Sequence, residues 1–132
     1  MVYVLPILEP PAGGPPKKTS VDMHGGESET SKMLIARPDL VHMDRANQES
    51  GADQTRLKLP DELYTAIWWY ASFPNHYSGE GSAATHERGQ FEMDNWIKGI
   101  VNAIRAVKAD QTSLQLQNEF FEKTKHPLDT LH

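Results

Sequence analysis

The stretch that decides the reading runs Asp22-Met23-His24-Gly25-Gly26-Glu27-Ser28-Glu29-Thr30-Ser31-Lys32-Met33-Leu34. A histidine and two glutamates sit on a glycine turn that feeds the start of a helix. Glycines let a backbone approach a ligand closely. A helix N-terminus offers free N–H groups and a positive dipole, which suit an anion or a carboxylate. Histidine titrates near neutral pH and serves as general acid or base. Glu27 and Glu29 share a face if the segment is extended and diverge by about 200° if it is helical. The plain alternative is a helix cap rich in Ser, Thr and Glu beside a solvated histidine.

Working outward, a helix is predicted from Ser28 to Ala36, with Thr30, Met33, Leu34 and Arg37 on one face. Pro38 ends it, because a proline disfavours the α region in the residue before it. Upstream, residues 20–24 read as a short extended piece. Residues 9–20, EPPAGGPPKKTS, form a Pro/Gly loop. Residues 1–8, MVYVLPIL, have the composition of a strand buried on both faces of a parallel sheet, yet the chain offers few partner strands.

Downstream, residues 44–60 are polar and aperiodic and read as a loop or frayed helix. Pro60-Asp61-Glu62 resembles a helix first turn, and the aromatic run 64–70 argues for an extended segment after it. Residues 73–82 read as a loop. A long helix is predicted from Ala83 to Lys108, capped by Ser82. Its apolar stripe is Met93, Trp96, Ile97, Ile100, Val101, Ile104 and Val107, and its polar face includes Glu92, Asp94, Lys98 and Arg105. A further helix runs from Thr112 to Lys125, capped by Thr112 and stopped by His126-Pro127.

The 132 residues carry 13 Lys plus Arg against 18 Asp plus Glu, a formal net charge of −5. That balance disfavours nucleic acid as a partner. With 0 cysteines, disulfide scaffolds and thiolate chemistry are excluded. No stretch is apolar enough to span a membrane, and nothing reads as a secretory signal. A cytoplasmic protein is expected.

The motif resembles the creatininase (creatinine amidohydrolase) family. Members carry a run of the form His-Ala/Gly-Gly-Glu-x-Glu-Thr-Ser-x-Met-Leu followed by x-Pro-Asp/Glu-Leu-Val. Here these are residues 24–34 and then Arg37-Pro38-Asp39-Leu40-Val41. A second block, Gly79-Glu80-Gly81-Ser82-Ala83-Ala84-Thr85-His86-Glu87-Arg88-Gly89, is similar to the family stretch that opens its last long helix. The run Ile67-Trp68-Trp69-Tyr70-Ala71-Ser72-Phe73-Pro74-Asn75-His76-Tyr77 looks most like the dehydro-inosose hydrolase branch.

The resemblance implies an α/β protein: part of a layered α/β/α fold with a central, mostly parallel sheet and a long C-terminal helix pair. Residues 1–132 would be one creatininase-like domain, its C-terminal half only, with 109–132 as a helical extension. Family members are about twice as long, and their first half carries Glu-x-His-Gly and Asn-Gly-His motifs that this sequence lacks. The implied cofactor is a divalent metal, zinc or manganese, with most ligands supplied by that other half. A metal-activated water would attack the substrate. His24 matches the family's proton-shuttling histidine. Glu29 and Glu27 match glutamates that could ligate metal or hold His24.

Position 23, an acid in creatinine-cleaving members, is Met23 here. Asp22, next to it, would face the other way in an extended segment. That departure, with the Trp-Trp-Tyr run, favours a cyclic polyol ketone over creatinine. Trp68, Trp69, Asn75, His76, Gly25 and Gly26 are candidate substrate contacts, although core or interface packing is the competing reading for the tryptophans. The expected partners are a small cyclic substrate and either further copies of the chain or the complementary half. The alternative function is a non-catalytic subunit or interaction module that needs the metal-bearing half.

Overall fold

The computed structural model describes residues 1–6, 13–60 and 62–129. The elements, in chain order, are strand β1 (Asp22–His24), helix α1 (Glu27–Ala36), helix α2 (Trp68–Ser72), strand β2 (Ser78–Gly79), helix α3 (His86–Ala109) and helix α4 (Thr112–Thr124). Single 3₁₀ turns stand at Pro38–Leu40, Met43–Arg45 and Gly81–Ala83. The chain divides into two compact units. One comprises Pro10–Trp96, and the other Met1–Glu9 with Ile97–His132.

In the first unit, β1 and β2 pair antiparallel, Asp22 opposite Gly79 and His24 opposite Ser78, with an irregularity between the two pairs. Gly51 bridges to the other side of Gly79. This two-stranded ribbon is the sheet found among the described residues, not the central, mostly parallel one that was expected. Residues 1–6 have no regular structure and are exposed. A strand without neighbours has no partners for its backbone N–H and C=O groups. Residues 7–8 of that predicted strand, and residues 9–12 of the loop 9–20, lie outside the described residues.

The first unit is held together largely by polar groups. Among its described residues the buried apolar side chains are Ala71 and Phe73, whereas Glu27, Ser31, Ser72, Ser78, Arg88 and Glu92 are all buried. Helix α1 starts one residue earlier than predicted and turns Glu27 and Ser31 inward, while Met33 of the expected apolar face stays 39% exposed. Helix α3 packs against it through its supposedly solvated face. Arg88 Nη2 pairs with Glu92 Oε1 at 2.8 Å, and Lys32 Nζ reaches Glu92 Oε2 at 3.5 Å. Arg88 also donates to the Pro15 carbonyl and the Ser28 hydroxyl at 3.1 and 3.3 Å. Burying Glu92 requires this paired set, since an unpaired buried carboxylate is costly.

Two glycines make the close approaches possible. A Cβ on Gly89 would overlap the carbonyl of Ser31, and one on Gly81 would stand 2.9 Å from the carbonyl oxygen of Gly25. Thus the second sequence block is shaped to pack on the first.

The run 64–70 is not extended. Leu63 N–H bonds the Pro60 carbonyl at 2.9 Å and closes a turn, and the helix forms afterwards, at Trp68–Ser72. Ring contacts of Trp68 and Trp69 with Phe73, at 6.2 and 5.1 Å between centroids, override the strand propensity of the run. The side chain of Arg56 donates to the carbonyls of Ala71, at 2.6 Å, and Tyr70, satisfying the end of α2. Helix α3 begins three residues later than predicted. Its first turn is served by Thr85 Oγ1, which accepts from Arg88 N–H at 3.2 Å; Ser82 lies in the preceding 3₁₀ turn.

In the second unit, Asp110 rather than Thr112 caps α4, accepting from the N–H groups of Thr112 and Ser113 at 2.8 and 3.0 Å. Tyr3 Oη donates to the other Asp110 oxygen at 2.7 Å. The Ser113 hydroxyl and amide, with Tyr3 and the Thr112 amide, hold the Asp110 carboxyl well below the usual range. The apolar stripe of α3 is open here: Ile97, Ile100, Ile104 and Val107 are all exposed, as are Leu114, Leu116, Phe120 and Phe121 of α4. A cleft of about 520 Å³ is lined by Val4, Leu5, Ile100, Ala103, Ile104 and Val107.

Candidate functional site

Strand β1 delivers His24 to the turn before α1. Gly25 makes the turn at φ 69°, with the Tyr77 ring beneath it, 3.2 Å from where a Cβ would stand. Only glycine adopts such a φ freely. Gly26 is the N-cap, and its carbonyl accepts from Thr30 N–H at 3.0 Å. The Gly25 carbonyl takes the Thr30 hydroxyl at 2.9 Å, and the Gly25 N–H donates to Glu29 Oε2 at 2.7 Å. Both glycines therefore use these backbone groups within the turn.

The three acids around His24 have different occupations. Asp22 folds back over the helix start and accepts from the Ser28 amide at 3.1 Å and the Ser28 hydroxyl at 2.6 Å, with Lys17 Nζ 3.3 Å away. Burial pushes its carboxyl up, but the Ser28 bonds and Lys17 outweigh that and hold it below the usual range. Glu27 is 1% exposed, and its oxygens accept from Lys18 N–H, Thr19 N–H and the Thr19 hydroxyl at 2.8–3.1 Å. It is the anchor of residues 18–19. Glu29 alone faces the histidine: its Oε2 is 3.5 Å from His24 Nδ1, and both side chains are open to solvent. A carboxylate only accepts hydrogen bonds. It therefore favours the proton on Nδ1 and leaves the Nε2 lone pair free.

Against His24 stands Trp69, edge to face at 6.3 Å between ring centroids. The same indole donates from Nε1 to His76 Nδ1 at 3.1 Å. Trp68 touches Trp69 at 5.7 Å but lines a separate cavity with Leu57, Leu59 and Leu63. The adjacent tryptophans thus part company: Trp69 joins the histidines, and Trp68 packs. Asn75 is spent on its loop, donating to Glu49 Oε2 and the Ser50 carbonyl and accepting from Tyr77 N–H.

A cleft of about 440 Å³ opens on the other side of the turn, lined by Gly25, Thr30, Met33, Arg45, Glu49 and Tyr77 among others. Its Arg45 and Glu49 come from the aperiodic segment 44–60, where spacing carries no signal. The Tyr77 hydroxyl accepts from Gly81 N–H at 2.6 Å and ties the two sequence blocks together.

A divalent metal needs three or more converging ligands to be held firmly. Among the described residues, no three His, Asp or Glu side chains come together in that way. His24 and Glu29 supply two suitable donors, while Asp22 and Glu27 are committed to backbone and hydroxyl groups. These residues by themselves do not fit a complete metal centre.

Comparison with known proteins places this arrangement in a class. The family model for Creatininase, creatinine amidohydrolase, matches residues 2–104. The chain belongs to the creatininase family. A solved structure from Bacteroides fragilis NCTC 9343, assigned as a creatinine amidohydrolase, is similar at 22% identity with a TM-score of 0.49. The match covers 69% of this chain and 35% of that one, so the chain spans about a third of that relative's length. No curated protein matches. No helix among the described residues is long and apolar enough to cross a membrane.

Proposed function

We propose that the chain is the proton-handling portion of a metal-dependent hydrolase that opens a small polar ring. The preferred substrate is a cyclic polyol ketone of the 3-dehydro-scyllo-inosose kind; a cyclic amide such as creatinine is the other possibility. The observation that carries the reading is the trio Glu29, His24 and Trp69 on a motif of this family. Glu29 Oε2 stands 3.5 Å from Nδ1 of His24, and the His24 side chain is open to solvent. When the ring bond breaks, the departing atom, carbon in the ketone or nitrogen in the amide, must gain a proton. His24 would accept a proton at Nε2 from the attacking water and pass it to that atom, returning to its starting state. Trp69 offers an aromatic face for a ring substrate. Met23, where creatinine-cleaving members have an acid, favours the polyol ketone.

In this reading the chain is the C-terminal part of the catalytic unit. The Glu-x-His-Gly and Asn-Gly-His motifs, with most metal ligands, belong to a complementary portion. Residues 1–8 would then join a parallel sheet whose other strands lie in that portion, and further copies or that portion would cover the apolar helices. Metal-loaded complete enzyme, offered each substrate class, tests the assignment by product analysis. Ring opening of the polyol ketone at a higher kcat/KM than creatinine is expected; exclusive cleavage of creatinine contradicts the substrate assignment.

A further inference from the structure

The contacts of Trp69 fix more than packing. Its indole N–H is a donor only, and it points at His76 Nδ1 from 3.1 Å. That nitrogen must therefore carry a lone pair, and in the neutral ring the proton sits on Nε2. Trp69 is itself pinned, against the buried Phe73 at 5.1 Å and against Trp68 at 5.7 Å. His76 adopts φ 59°, uncommon for a residue with a Cβ, and its N–H closes a turn onto the Phe73 carbonyl at 3.0 Å. The loop thus holds an unfavourable backbone conformation while aiming the imidazole at the indole. The His76 side chain is exposed, so its far nitrogen is open to solvent.

We propose that Trp69 is a positioning residue that locks His76 in the neutral Nε2–H tautomer, so that His76 donates to a substrate oxygen while His24, against the same indole, moves the proton. The two histidines then present opposite faces of imidazole chemistry: an Nε2 lone pair on His24 and an Nε2–H donor on His76. Such a pair suits a substrate whose carbonyl or hydroxyl oxygen lies beside the bond being broken. The substrate-facing half of this proposal rests on the ring-opening reading above; the tautomer half does not.

Long-range ¹H–¹⁵N spectra of the full chain, labelled with ¹⁵N, read the tautomer without any substrate. His76 is expected to show a protonated Nε2 and a bare Nδ1, and Trp69→Phe to abolish that bias. An Nδ1–H tautomer in the wild type, or unchanged spectra in Trp69→Phe, overturns the role of Trp69. His76→Asn supplies the second variant. Asn tolerates left-handed φ and keeps an acceptor for the indole, but its amide N–H groups stop short of the place His76 Nε2–H occupies. In the complete enzyme it is expected to keep its near-ultraviolet circular dichroism and to lose about 10²-fold in kcat/KM. Full turnover by His76→Asn removes His76 from the substrate. Wild-type enzyme that opens neither ring class ends the functional reading, and the spectra still decide whether Trp69 sets the tautomer.

Discussion

Asp22 and Glu29 lie on either side of His24, and the fold gives them different tasks. Asp22 spends its charge on Ser28 and Lys17, and its depressed titration ties it to stability. A carboxyl whose folded value lies below its unfolded one stabilises above the ordinary range and loses that contribution as pH falls through the folded value. Asp22→Asn should therefore cost about 1–2 kcal/mol at pH 7. The difference from wild type should shrink as pH is lowered through and below the carboxylate range, which thermal melts across pH will show. A constant difference would detach Asp22 from the acid response. Glu27→Gln weakens charge-assisted bonds to residues 18–19 and should cost about 1–3 kcal/mol by denaturant unfolding, with no loss of metal from the complete enzyme. Metal loss would return Glu27 to the ligand set. At this scale the sequence was legible where local chemistry decides: His24 on a glycine turn at a helix start. It was opaque for Glu27, whose partners are the backbone amides of residues 18–19, and a backbone amide leaves no mark on composition.

The apolar period marks the helices but not their caps: Thr85 and Asp110, rather than Ser82 and Thr112, accept from the first-turn amides. The larger departure concerns which face is buried. The start of α3 turns Arg88, Gly89 and Glu92 inward, and α1 turns Glu27 and Ser31 inward. Hydrophobic periodicity cannot find a polar interface, whereas the i,i+4 pair Arg88 and Glu92 and the bare Gly89 are its residual signals. Gly89→Ala would force α3 away from the Ser31 carbonyl. A loss of about 1–3 kcal/mol in unfolding free energy is expected; a neutral result would mean that the helices can part without cost. The aromatic run 64–70 misled for the opposite reason. Its strand propensity is real, but the edge-on and tilted ring contacts with Phe73 outweigh it.

Across the whole chain, the family block and the apolar stripe of α3 could both be read directly, and the parallel sheet could not be seen among the described residues. One unit has a mostly polar interior among its described residues, the other exposes Ile, Leu and Phe, and under the proposed reading a further partner would cover those apolar faces. The same reading makes the metal a shared responsibility. After dialysis, the chain alone should retain zinc or manganese well below one equivalent by elemental analysis. Two tightly held metals per chain would contradict the division of ligands. The claim on which the account depends most is that His24 moves the proton. Turnover of metal-loaded complete enzyme against the cyclic polyol ketone tests it most directly. His24→Ala is predicted to keep its metal and lose about 10²–10⁴-fold in kcat, and undiminished turnover with intact metal would contradict it.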